Sequence, residues 1–183
     1  MTSTQYRPEN STRGKILYDK ISPYIQDGAY ILDIGCSYSP LSPHIRADFP
    51  KCQLFGFDSN GEIIKELRKT RPHYRWERIL VDRGNELENY VTSTPDVVIH
   101  TGVNGAWSEI WTVHEWLFEN GFSPQAALLE TGYKSGYWQC METYVQIIAL
   151  YLQHRFYIKD FGWFDFDYEH ATLKERHYCV LGK

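Results

Sequence analysis

Asp33, Gly35, Cys36 and Ser37 sit at the end of a short apolar run, and Asp58 closes the next one, 23 residues after Gly35. That spacing suits an acid at the tip of a second strand in a β-α-β unit, where one carboxylate can accept from both hydroxyls of a ribose. The chemistry this implies is recognition of a nucleoside. Asp82, His100-Thr101-Gly102 and Glu130-Thr131-Gly132 end further apolar runs. In an open parallel sheet, ligands bind beyond the carboxyl ends of the strands, near the switch in strand order. His100 is the first candidate for a general base, because an imidazole can take a proton near neutral pH. His114, on a helical stripe among Trp and Leu, is either a second base or a satisfied core histidine. Cys36 reads as a small loop residue, since no base is committed to it.

The first loop narrows the nucleoside. A dinucleotide site uses Gly-x-Gly-x-x-Gly, whose glycines admit a pyrophosphate and let the helix pack closely. Here the loop runs Gly35-Cys36-Ser37-Tyr38-Ser39-Pro40, with one glycine and a bulky tyrosine. The phosphate-cradling pattern G-x-x-x-x-G-K-[ST] is also absent. A nicotinamide-dependent oxidoreductase is therefore disfavoured.

The elements that must position these residues alternate steadily. Asn10 and Ser11 are caps for a helix carrying Ile16, Leu17, Ile21 and Tyr24. Tyr30–Ile34 reads as a buried strand, and Ser42-Pro43 as the cap and first turn of the next helix. Leu54–Asp58 is a second strand, followed by a solvated helix over Asn60–Lys69. Ile79–Asp82 is expected to be the third strand and Val97–His100 the fourth. Trp107, Ile110, Trp111, His114, Leu117 and Phe118 mark a helix that Gly121 ends. Ala127–Glu130 is a fifth strand, and a long helix from Trp138 to Leu152 follows. Phe156–Phe166 and Arg176–Leu181 then read as two strands with no helix between them. The pattern predicts an α/β, Rossmann-like three-layer sandwich: a mostly parallel seven-stranded sheet with one antiparallel strand from a C-terminal hairpin.

The chain has 183 residues, 43% of them hydrophobic and 23% charged, with a net charge of −4. One domain over residues 1–183 is the default at this length, with 1–11 a flexible N-terminal segment or flap. The acidic balance argues against a protein whose main task is gripping phosphate backbones. Cys36, Cys52, Cys140 and Cys179 form no C-x-x-C pair, and free thiols in a reducing cytosol fit best. The opening MTSTQYRPENSTRGK lacks the basic flank and apolar run of a signal peptide, and no stretch of the sequence approaches the ~18 apolar residues that would span a bilayer, so a cytoplasmic location without a membrane partner is expected.

The run ILDIGCSYSPLS, the acid of LFGFD and the terminal hairpin together resemble the class I S-adenosylmethionine-dependent methyltransferases, over about Thr12 to Lys183. Members of that family carry an acid-x-Gly-x-Gly-x-Gly loop after the first strand. This chain has Asp33 and Gly35, then Ser37 and Ser39 where glycines are usual. The resemblance implies S-adenosyl-L-methionine as cofactor. Asp33, Gly35, Cys36 and Ser37 would cradle its methionine part, and Asp58 with Ser59 would hold the ribose. Val81 and Asp82 would border the adenine, and His100 and Thr101 would line the channel where the methyl emerges. The Mg²⁺-binding acids of catechol-type relatives have no counterpart in His100-Thr101-Gly102, so no metal is expected.

The acceptor is less legible. Trp107, Tyr133 and Trp138, with Tyr6, Tyr137 and Tyr168, would make the rim aromatic, favouring a small, flat or apolar molecule. Glu130 could contact that substrate or lock the following loop. The segment KELRKTRPHYRWER (65–78) could face RNA or be a solvated helix with its loop, and nucleic acid is the less favoured partner. A peptide or RNA acceptor, a homodimer that borrows a pocket wall, and a non-catalytic cofactor-binding partner subunit are the alternatives.

Overall fold

Short apolar runs separated by helical stripes assemble into one sheet of seven strands: β1 (Tyr30–Ile34), β2 (Gln53–Asp58), β3 (Arg75–Arg78), β4 (Val97–Thr101), β5 (Ala126–Tyr133), β6 (Tyr157–Asp165) and β7 (Glu175–Gly182). The helices are α1 (Thr12–Ile21), α2 (Ser42–Asp48), α3 (Gly61–Thr70), α4 (Trp107–Glu119) and α5 (Trp138–Gln153). This computed structural model describes residues 12–80, 84–101, 107–133, 138–165 and 175–183, with 84–86, 107–110, 133 and 138–140 described by backbone alone. The expected caps Asn10 and Ser11, the segment 1–11, Val81 and Asp82 lie outside the described residues.

The strand order is β3-β2-β1-β4-β5-β7-β6. β1 through β5 pair in parallel, and β7 inserts antiparallel between β5 and β6. Successive side chains of a strand face opposite sides. One side of the sheet packs Leu17 and Ile21 of α1, Ile45 of α2 and Ile64 and Leu67 of α3 against Ile31, Ile99 and Leu128. The other packs Val113 and Leu117 of α4 and Ile147 and Tyr151 of α5 against Leu32, Val98 and Leu129. This is the expected three-layer arrangement, and its strand order reverses between β1 and β4.

Three local expectations are corrected. The third strand lies at Arg75–Arg78, and the described part of the expected Ile79–Asp82 strand is outside it: the Ile79 N–H still donates to Asp58 O, but the chain has left the sheet by Leu80. β3 pairs on one side only, so it needs no continuous apolar run. Trp76 fills one face, while the Arg75 guanidinium lies 4.9 Å from the Phe55 ring centroid on the other. The second correction concerns α2. Its N-cap is Leu41 with no side-chain bond, and the Ser42 hydroxyl turns instead to Ser39 O and Arg71. Third, the aromatic run of the expected Phe156–Phe166 strand is not all core: Phe161 and Trp163 are 74% and 62% exposed on the edge strand β6.

Gly56 shows how closely β2 and β3 approach. A Cβ there would overlap the Trp76 ring and come within 3.1 Å of the Cys36 Cβ. Gly56→Ala is expected to cost about 1–3 kcal/mol through overpacking, read as a lowered denaturation midpoint with an unchanged denaturant slope.

Candidate functional site

The loop between β1 and α2 has an unusual backbone. Gly35, Ser37 and Ser39 all take positive φ, at 59°, 45° and 44°. The two serines that replace the usual glycines thus adopt the left-handed conformation that glycine takes most readily. Several bonds hold them there. The Ser37 N–H donates to Asp58 Oδ2 (2.9 Å), and the Ser39 hydroxyl donates to Asp33 Oδ2 (2.6 Å). From below, Arg71 Nη1 donates to Tyr38 O, Ser39 O and Ser42 Oγ at 2.5, 2.9 and 2.8 Å. Arg71 is 7% exposed and belongs to the basic segment read as RNA-facing or solvated. Its neighbours are also engaged internally: Arg68 with Trp76 O and Glu77, and Arg78 with Ser59 O.

Asp33 is buried under this loop. Burial pushes its carboxyl up to about 7, against the Ser39 hydroxyl and the more distant Arg71 and Arg13 charges, with Asp58 adding to the rise. Its Oδ1 is buried and has no hydrogen-bond partner among the described residues; the same is true of Thr101 Oγ1 and Thr131 Oγ1. A buried polar atom left unsatisfied is costly, and a bound group can satisfy it. Cys36 is fully buried, and burial with the nearby Asp33 and Asp58 charges raises its thiol well above the ordinary value. It is an inert packing residue in the loop.

Asp58 is half-buried at the tip of β2. Its Oδ2 accepts from Ser37 and its Oδ1 from the Asn60 N–H at 2.8 Å. The cap of α3 is Asn60, whose Oδ1 accepts from the Glu62 and Ile63 N–H groups. Asp58 is therefore not a helix cap. It ties the glycine-poor loop to the β2 turn, and each oxygen keeps acceptor capacity for a further donor. Ser59 beside it is exposed.

His100, on β4, points to the α4 and α5 side. Its Nδ1 lies 3.1 Å from His114 Nε2, and His114 Nδ1 lies 3.1 Å from the Tyr151 hydroxyl. All three are buried, at 2%, 0% and 0% exposure. Burial lowers His100 to about 4, opposed by the Glu130 charge, and lowers His114 further with His100 adding to the effect. His114 is thus a core histidine, and its candidacy as second base is withdrawn: it is sealed between two buried rings.

Glu130, read as a substrate contact or a lock on the following loop, is engaged by two arginines. Its Oε1 accepts from Nε of Arg13 and of Arg176, and its Oε2 from Nη2 of each at 2.8 and 2.9 Å. Four donors fill a carboxylate's lone-pair sites, leaving none for a substrate. The residue is a clasp joining α1, β5 and β7. Burial alone would raise its pKa, but the two guanidinium charges and their hydrogen bonds outweigh that and hold it at about 2.

Trp107, Tyr133 and Trp138 begin α4, end β5 and begin α5, all at the carboxyl-end edge of the sheet. Gly102, Tyr137, Tyr168 and Tyr6 lie outside the described residues. Among the described residues no group of three His, Cys, Asp or Glu side chains could hold a metal ion. No helix of the described residues is long and apolar enough to cross a membrane.

No family model matches the sequence, and no curated protein matches it. Solved structures do match the fold, and that fold is the class I methyltransferase fold. The chain superposes on precorrin-6y C5,15-methyltransferase from Geobacter metallireducens with a TM-score of 0.65 at 15% identity, covering 100% of this chain and 92% of that one. TrmK from M. capricolum, in complex with S-adenosylhomocysteine, gives 0.61 at 15% identity, with 96% and 69% covered. TrmN from Thermus thermophilus gives 0.62 at 11% identity, with 93% of this chain covered; the chain spans about half, 48%, of that protein's length.

Proposed function

We propose that this protein is an S-adenosyl-L-methionine-dependent methyltransferase acting on a small aromatic or apolar acceptor by direct in-line transfer. The observation that carries the reading is the loop at the β1–β4 switch. There the left-handed loop of Gly35, Ser37 and Ser39 sits above an Asp33 whose buried Oδ1 has no partner among the described residues. The bound cofactor supplies an electrophilic methyl group on a sulfonium. Asp33 would hold its amino group, directly or through water, and the backbone of Gly35, Cys36 and Ser37 would lie along its methionine part. Asp58 would hold the ribose, and Val81, Asp82 and Thr101 would complete the walls. The protein's share of catalysis is alignment of the acceptor behind the methyl in a water-poor pocket.

The acceptor class rests on residue types at the rim, namely Trp107, Tyr133 and Trp138. The internal engagement of Arg68, Arg71 and Arg78 weakens the case for an RNA-gripping face: Arg68 is paired with Glu77, and the Arg71 and Arg78 donors are taken up by carbonyl and hydroxyl oxygens. The reading as a non-catalytic partner subunit is motivated by the lack of an Asn/Asp-Pro-Pro-Tyr-like motif after the fourth strand and by the serine-for-glycine loop. Both serines take left-handed backbone angles, which favours a loop able to hold the cofactor and bears on the second of these motives alone.

Titration calorimetry with S-adenosylhomocysteine tests the proposal. In the free protein Asp33 titrates near 7. An ammonium placed on Oδ1 favours the ionised form, so binding releases a proton below that pH and affinity rises as pH increases through 7. The expected gain is about tenfold between pH 6 and 8, levelling off above. Asp33→Asn should bind more weakly and lose this pH dependence. Absence of measurable binding by the wild-type chain overturns the proposal.

A further inference from the structure

The chain from His100 through His114 to Tyr151 has a direction, and one end of it sets that direction. The Tyr151 ring packs edge-on against Phe118 and Phe156, with centroids 5.0 Å from each. Its hydroxyl is fully buried, and among the described residues its polar partner is His114 Nδ1. The hydroxyl hydrogen must donate there, or be stranded among aromatic carbons. If it donates, His114 Nδ1 is an acceptor and the neutral ring carries its proton on Nε2. That Nε2–H then donates to His100 Nδ1, 3.1 Å away. The proton of His100 is left on its own Nε2, the nitrogen turned away from His114.

We propose that Tyr151 and His114 are positioning residues that hold His100 as its Nε2–H tautomer, so that β4 presents a hydrogen-bond donor at its tip and not a general base. Both rings are neutral because burial disfavours their cations. Glu130 of the adjacent strand points to the opposite, α1 side of the sheet, and its pull on His100 is the smaller effect. Reversing the whole chain would expose a lone pair on His100 Nε2, but it strands the Tyr151 hydrogen and is disfavoured by roughly tenfold or more. The interaction assigned to that nitrogen is with a lone pair. A carbonyl or phenolate oxygen on the acceptor fits, and an acceptor hydroxyl needing proton removal by His100 does not. The consequence for substrate choice rests on the methyltransferase reading; the tautomer itself does not.

Long-range proton–nitrogen correlation spectra of the full chain, labelled with ¹⁵N-histidine and free of ligand, read the tautomers directly. His100→Gln and His114→Gln serve to assign the signals. The wild type should show both rings with a protonated, pyrrole-type Nε2 and an unprotonated, pyridine-type Nδ1, unchanged between about pH 6 and 8. In Tyr151→Phe the hydroxyl is gone, and the minor Nδ1–H form of His100 should rise by roughly tenfold or more. A wild-type His100 protonated on Nδ1, or titrating in that range, overturns the proposal. Unchanged tautomer purity in Tyr151→Phe removes Tyr151 from it. Since the spectra need no cofactor, failure to bind S-adenosylhomocysteine would sink the methyltransferase reading while leaving this result standing.

Discussion

Glu130→Gln should be among the most damaging single substitutions in the molecule, costing about 3–5 kcal/mol of stability. The side chain is fully buried and takes four hydrogen bonds from Arg13 and Arg176. An amide of the same size cancels neither charge, and its own N–H₂ group faces guanidinium donors. Two cations would remain, one 11% and the other 6% exposed in their side chains. For a chain of this length the loss corresponds to roughly a 6–20 °C fall in melting temperature. Hydrogen exchange should show α1 opening first, since Arg13 ties that helix to β5. Substitution of a substrate-contacting carboxylate would instead lower turnover and leave the melting temperature within about 2 °C.

The same triad predicts how stability responds to acid. Glu130 is held at about 2 in the folded chain, below the ordinary carboxylate value. A depressed folded-state pKa contributes stability that is fully present above about pH 4.3 and is lost as pH falls toward 2. The Glu130→Gln protein lacks this contribution, so its stability should fall less steeply over that window. Denaturant melts of both proteins at stepped pH check it.

Asp58→Ala should weaken S-adenosylhomocysteine binding by at least tenfold, because two charge-assisted hydrogen bonds to a ribose diol are worth ~1.5–3 kcal/mol each. The structure adds a second effect. The carboxylate also accepts from the Ser37 and Asn60 N–H groups, so the alanine variant should lose about 1–3 kcal/mol of stability as well. Melting temperature alone therefore does not separate the roles. Asp58→Asn does: its amide oxygen still accepts from one backbone N–H and recovers part of the stability, but it offers no second anionic oxygen to the diol. Calorimetry on the three proteins decides. Wild-type affinity in Asp58→Asn would remove the ribose role and leave Asp58 a loop tie only.

Much of the fold was legible because its information is local. The runs at Tyr30–Ile34, Val97–His100 and Ala127–Glu130 are buried on both faces, and a continuous apolar stretch signals this without reference to the rest of the chain. β3 was misplaced for the complementary reason. As an edge strand with Trp76 filling one face and the Arg75 guanidinium lying over Phe55 on the other, it can be written in charged residues. The apolar Ile79-Leu80-Val81 that follows imitated a strand better than the strand did.

What the sequence determined by itself was the architecture and the placing of acids and small residues at strand tips: alternating elements, Gly35 after β1, and an acid at the end of β2. Periodicity and turn chemistry are short-range, so each segment carries its own signal. The tertiary structure alone decided which polar residues meet. Arg71 clamps a loop 32 and 33 residues earlier in the chain, while Glu130 is gripped by partners 117 residues before it and 46 after. Read locally, each of these is an ordinary surface charge, because burying a charge is costly unless it is paired and hydrogen-bonded. The partner that makes burial affordable is supplied by the crossing of strands and helices, and no segment encodes it alone. His114 follows the same logic. Its helical stripe shows that it faces inward, but only the packing of α4 against β4 and α5 sets it between His100 and Tyr151.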